Sequence, residues 1–141
     1  MSKHETPMTE AFWETYANGA FLPEYCLVPK APGCGRRMVD AIILPDEPHH
    51  RAKAMDYPSL AGRKVIVVQT KRGRMGMYLM GQAVFSAQLA LACGAAPPVR
   101  SVLLCNFADS VLMPFLKPFP EVEVWTSDPQ NPQACALMRA E

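Results

Sequence analysis

Four polar side chains interrupt or end strand-like apolar runs. Glu24 sits in Phe21-Leu22-Pro23-Glu24-Tyr25-Cys26-Leu27, and Asp40 in Met38-Val39-Asp40-Ala41-Ile42-Ile43-Leu44. Gln69 and Lys71 end the run Lys64-Val65-Ile66-Val67-Val68-Gln69-Thr70-Lys71. A charge buried in apolar surroundings is costly unless it is paired or binds a metal. Carboxylate and amide oxygens suit a hard cation such as Mg²⁺ or Mn²⁺. A lysine beside them can position or deprotonate a water and stabilise negative charge growing at phosphorus. Gln69 and Lys71 are two apart in a strand, so they share a face. Brought to one face, Glu24, Asp40, Gln69 and Lys71 would suit hydrolysis of a phosphodiester. Structural alternatives stand beside this. The last strand can simply reach solvent at Gln69, or Lys71 can pair with Glu24 or Asp40 in a salt bridge of an unrelated α/β domain.

The charge around this set is uneven. Arg63, Lys64, Lys71, Arg72 and Arg74 lie close together with no acid among them, although the whole chain carries a formal net charge of only +1. A local basic patch is what contact with phosphate needs. Arg72 and Arg74 are the candidate phosphate contacts, of the kind that position a nucleic acid without reading its sequence.

The elements that must hold these residues follow from pattern. Thr9 is a candidate N-cap for a helix that ends at Asn18-Gly19, with residues 1–8 as a frayed leader. Residues 21–28 and 37–44 read as a hairpin of two strands around the Pro/Gly turn 29–35. A long loop over 45–62, with three prolines and the His49-His50 pair, precedes the central strand 64–71. Residues 75–93 are the strongest helix, free of proline and followed by Gly94 as a C-terminal cap, with Pro97-Pro98 barring continuation. A buried strand over 99–107, a short helix over 110–116 and an alternating edge strand over 121–126 follow. The Pro-rich stretch 127–141 reads as a surface tail. The result is an α/β chain, a mixed central sheet flanked by helices, with a right-handed βαβ crossover through helix 75–93.

Length and composition set the limits. The 141 residues make one domain, with its core over about 9–126. Half of the residues are apolar and 19% are charged, as in a globular protein, and no apolar run is long enough to span a bilayer. The first ten residues are polar and hold no signal-peptide core, which points to the cytoplasm. The five cysteines form no CxxC, and Cys26, Cys34, His49 and His50 match no standard zinc spacing.

Asp40, one strand and a loop ahead of Gln69-Thr70-Lys71, with an acid further upstream, resembles the PD-(D/E)XK (restriction-endonuclease-like) nuclease superfamily. The resemblance covers roughly residues 9–107. It implies an αβββαβ core whose motif acids hold one or two divalent metals, Mg²⁺ or Mn²⁺, to activate water for phosphodiester hydrolysis, with the lysine assisting. Carried onto this chain, it makes Asp40, Gln69 and Glu24 metal ligands and Lys71 a catalytic partner. Glu14 on the first helix is the alternative upstream acid. The usual pattern has Asp or Glu where this chain has Gln69, and a proline where it has Val39. Gln-x-Lys does occur in Mrr-type restriction nucleases and in the endonuclease subunit of heteromeric transposases. The family's following helix carries polar residues toward the metal site or the nucleic-acid backbone, and Gln82, four residues before Ser86, is the candidate here. The implied function is a Mg²⁺-dependent endonuclease or exonuclease acting on DNA, with RNA left open. With no room for a sequence-reading domain, such a nuclease would be structure-selective or nonspecific, or a homodimer mate or a partner protein would supply specificity. The neutral Gln69 keeps a second function open: a catalytically inactive protein of the same fold that binds nucleic acid or a protein partner.

Overall fold

The computed structural model describes residues 5–139. A seven-stranded mixed sheet is covered by one helix on each face. Helix α1 (Glu5–Tyr16) leads into β1 (Ala20–Val28) and β2 (Arg37–Leu44), an antiparallel pair. The two-residue β3 (His50–Arg51) runs parallel to β1 at the edge. Strand β4 (Ile66–Thr70) pairs antiparallel with β2, and helix α2 (Met77–Ala92) carries the chain over to β5 (Arg100–Cys105), parallel to β4. Strands β6 (Val122–Asp128) and β7 (Asn131–Met138) complete the sheet in the order β3-β1-β2-β4-β5-β6-β7. The expected α/β class is therefore present. No helix among the described residues is long and apolar enough to cross a membrane.

The two faces of the sheet have separate cores. On one face Met8, Phe12 and Trp13 of α1 pack on Phe21, Ile43, Ile66, Val68 and Leu104. On the other, Ala87 and Ala90 of α2 pack on Leu22, Ile42, Leu44 and Val67. Every residue of β4 is buried, because both faces are covered, β5 pairs along its whole length and β2 pairs with Ile66, Val67 and Val68. The small side chains Ala83, Ala87 and Ala90 bring α2 close to the strands beneath it. Gly94 ends α2 as expected: at φ 97° it takes the left-handed conformation that favours glycine, and its N–H donates to the Leu91 carbonyl.

Several boundaries differ from expectation. Helix α1 starts at Glu5, so Thr9 is an interior residue rather than a cap; residues 1–4 of the expected leader lie outside the described residues. Thr9 is fully buried, and its hydroxyl donates to the Glu5 carbonyl while bonding the Thr70 hydroxyl at 2.8 Å. The long loop contains β3 and a 3₁₀ turn, Ala54–Asp56. The short helix expected over 110–116 is a 3₁₀ turn, Met113–Leu116. The largest correction concerns 127–141, expected as a surface tail. Strand β6 runs into it as far as Asp128, and β7 returns from it, so β6 is an inner strand and β7 the edge. Pro132 is tolerated there because β7 pairs on one side only. Most β7 side chains are exposed, which is why its sequence looks like a tail.

Candidate functional site at the parting of two strands

Strands β2 and β4 stay together for three residue pairs, Ile43↔Ile66, Ile42↔Val67 and Ala41↔Val68, and then part. Beyond this point β2 continues against β1 and β4 continues against β5. Asp40 and Gln69 are the first residues past the last pair. A sheet that splits in this way leaves backbone N–H groups on the inner edges without a strand to take them. Asp40 meets that need: its Oδ2 accepts the Thr70 N–H at 2.7 Å.

The local geometry around Asp40 explains why its side chain is available for this. In β1, Ala20 and Leu22 face α2, and so do Tyr25 and Leu27, although strict alternation would turn the latter pair away. The break falls at Glu24, which has φ 52°, the left-handed region that a non-glycine residue rarely adopts. In β2, Ile42 and Leu44 face α2, and so does Val39, so alternation breaks there as well. The flanking pairs Pro23↔Ala41 and Tyr25↔Val39 put the two irregularities opposite each other. Glu24 and Asp40 are thus carried at a paired kink, where the side chains leave the regular up-and-down pattern.

Asp40 is half-buried, and burial pushes its carboxyl pKa above the ordinary value. The Thr70 N–H pulls in the opposite direction, while the carboxylates of Glu5 and Glu24 push it up further. Glu5, in the first turn of α1, is a residue that pattern reading missed. Its Oε2 accepts the Arg72 N–H at 3.3 Å, which ties α1 to the segment just after β4. The signal was present in the four-residue spacing to Thr9, but placing the helix start at Thr9 left Glu5 outside the helix. Glu14, the alternative upstream acid, is exposed on α1, and it is Glu5 whose charge acts on Asp40.

Gln69 is turned elsewhere. It is buried on the α2 side, and its Nε2 donates to Ser86 Oγ at 2.7 Å. Ser86→Ala is expected to cost about 1–3 kcal/mol in urea unfolding, because the Gln69 amide would be left buried without its acceptor. Gln69→Leu combined with Ser86→Ala should recover much of that loss. Losses that simply add would show that the bond contributes nothing.

The four residues proposed as one cluster therefore divide. Asp40 interacts with Glu5, Glu24 and the Thr70 N–H, whereas Gln69 lines a groove between β2 and α2 together with Gln82, Arg36 and Arg37. Glu24 is exposed and borders a different hollow, with Thr6, Arg51, Lys53 and Tyr57. Lys71 lies just past the end of β4; its N–H donates to the Leu104 carbonyl and the residue is exposed. Of the two expected phosphate contacts, Arg72 is exposed. Arg74 donates to the Ala108 carbonyl and lies over the Phe107 ring, 5.9 Å from its centroid.

Among the described residues no group of three or more His, Cys, Asp or Glu side chains stands ready to hold a metal ion. No protein-family model, curated protein or solved structure matches the chain.

Proposed function

We propose that the chain is a nuclease-like domain of the PD-(D/E)XK type that hydrolyses phosphodiester bonds in DNA. One observation carries the reading. The sheet splits between β2 and β4 just where Asp40 and Gln69 stand, and Asp40 keeps a half-buried carboxylate at that split. The element order supports it: α1, three main strands β1, β2 and β4, then α2 and β5.

In kind, the donors near the split suit a hard cation. Asp40 would hold it, with Glu24 or Glu5 as a second carboxylate, while Gln69, turned toward Ser86, would stay outside the set. Burial first, and then repulsion from Glu5 and Glu24, raises the Asp40 pKa, a condition that a bound cation would relieve. When bound, the cation would supply an activated water for attack on the phosphodiester. Lys71, one residue beyond Thr70, would stabilise charge on the phosphate oxygens, and Arg72 would hold the backbone.

A second reading has its own observation. The Gln69 amide is already engaged by Ser86, which suits a protein of this fold that binds nucleic acid without cutting it. Incubation of supercoiled plasmid and of circular single-stranded DNA with Mg²⁺ or Mn²⁺ separates the two. Wild type should nick or linearise one of them, and Asp40→Ala and Lys71→Ala should each slow this by roughly 100-fold or more. Folded wild-type protein that cuts neither DNA with either metal would overturn the enzyme reading and leave the binding one.

A further inference from the structure

The groove that holds Gln69 has two chemically different walls. One is Arg36 and Arg37, exposed at the start of β2. The other is a face of α2 bearing Tyr78 and Phe85, which are 81% and 64% exposed. Gln69 and Gln82 add hydrogen-bonding amides, and the hollow has a volume of about 700 Å³. Two arginines line it and no aspartate or glutamate does.

The two aromatic residues are seven positions apart on a helix, so they share a face and stand about 10 Å apart along it. Gly81, between them, also lines the groove, and a Cβ placed there would meet nothing within 4 Å, so the space between the rings is open. With Met38 and Met77, which are also exposed on the same groove, the two rings make an apolar surface of the kind that marks a binding site. Meanwhile the opposite wall offers two guanidinium groups, each able to make forked contacts with a phosphate.

We propose that this groove binds a single-stranded segment of nucleic acid, with unpaired bases stacked on Tyr78 and Phe85 and the phosphate backbone held by Arg36 and Arg37. Stacking on aromatic rings combined with a basic track is how proteins grip single strands without reading sequence. A duplex keeps its base faces covered by neighbouring pairs and could use the arginines alone. Charge decides against an apolar protein segment as the occupant, because two unopposed arginines on one wall would lose hydration without gaining a counterion. The inference deepens the nuclease reading, since it names the form in which the substrate reaches the split between β2 and β4.

Fluorescence anisotropy in EDTA tests it, using a labelled oligothymidylate of about twenty nucleotides and a duplex of equal length. EDTA keeps cleavage out of the readout, so the result stands whether or not the plasmid assay shows activity. Wild type should bind the single strand more tightly than the duplex. Tyr78→Ala and Phe85→Ala should each weaken single-strand binding about 5- to 100-fold and leave duplex binding nearly unchanged. Arg36→Ala and Arg37→Ala should weaken both and flatten the salt dependence. Both aromatic positions are exposed, so the variants should fold, as a circular dichroism spectrum and melt would verify. Equal or tighter duplex binding by wild type would overturn the proposal, as would unchanged single-strand binding by the Tyr78→Ala, Phe85→Ala double variant. So would a wild-type dimer in sedimentation that Phe85→Ala dissociates, because the groove would then be an interface between two copies of this chain.

Discussion

Gly19→Ala is expected to cost the domain about 4 kcal/mol or more, a large share of the stability of a typical single domain. Gly19 is buried, joins α1 to β1 and has φ 127°, a conformation that L side chains rarely adopt. A Cβ there would fall 2.2 Å from the Leu44 carbonyl oxygen and 2.8 Å from the Pro45 Cα. Both are backbone atoms at the end of β2, so no side-chain rotation can relieve the clash. The same glycine is a hydrogen-bonding centre. Its carbonyl accepts the Trp13 Nε1–H at 2.9 Å, and its N–H donates to His49 Nδ1 at 3.4 Å. Trp13 lies between the Phe21 ring, at 4.9 Å, and the His49 ring, at 4.2 Å. Moving Gly19 therefore disturbs the α1 core, the β1–β2 register and the segment that leads into β3 together. Urea unfolding followed by tryptophan fluorescence measures the loss; a shift below about 1 kcal/mol would mean that the end of β2 gives way easily.

The same region shows which parts of the molecule could be read from sequence. Strand β2 is found where the apolar run 37–44 places it, and β4 and α2 lie within the expected 64–71 and 75–93. These elements are buried or have a strong local preference, so their patterns are direct consequences of where they sit. Strand β7 was not legible. It is an exposed edge whose partner, β6, supplies the hydrogen bonds, and its proline and polar residues carry no burial signal. The site falls between these cases. Asp40, Gln69 and Lys71 stand out as polar residues in or after apolar strands, but β4 ends at Thr70, so strand alternation does not carry Lys71 onto the face of Gln69. The direction of Asp40 does not follow from alternation either. It depends on two alternation breaks, at Glu24 in β1 and beside Asp40 in β2, which only the paired strands reveal. Gln69 could be recognised as unusual, but its partner Ser86 lies on a separate element brought near by the βαβ crossover.

Asp40 can be examined through stability as well as through activity. Its carboxyl pKa is raised mainly by burial, against the pull of the Thr70 N–H. A carboxyl whose pKa is higher in the folded state than in the unfolded state binds its proton more tightly when folded. It contributes stability that is fully present below the ordinary carboxyl range and is lost as pH rises through the raised pKa. At neutral pH that contribution has gone, and the ionised side chain carries a desolvation cost. Asp40→Asn keeps the shape and an oxygen to accept the Thr70 N–H while removing the charge. The variant is expected to be more stable than wild type at pH 7, by about 0.5–2 kcal/mol, the range common for a single stabilising substitution. The difference should shrink as pH falls below the carboxylate range, where wild type is protonated too. Added Mg²⁺ or Mn²⁺ should reverse the order. A cation that binds only the folded state stabilises wild type by about 2.7 kcal/mol at one hundred times its Kd, and the variant, lacking the anionic ligand, should gain far less. Thermal unfolding from pH 3 to pH 8, with and without the cation, reads both effects. An Asp40→Asn protein less stable than wild type at pH 7, with equal responses to the cation, would make Asp40 a structural acceptor for the Thr70 N–H and nothing more. A more stable variant that has also lost the cation response would mean that the chain keeps a charge at the split at a cost to its own folding, which is the pattern expected of a residue retained for chemistry.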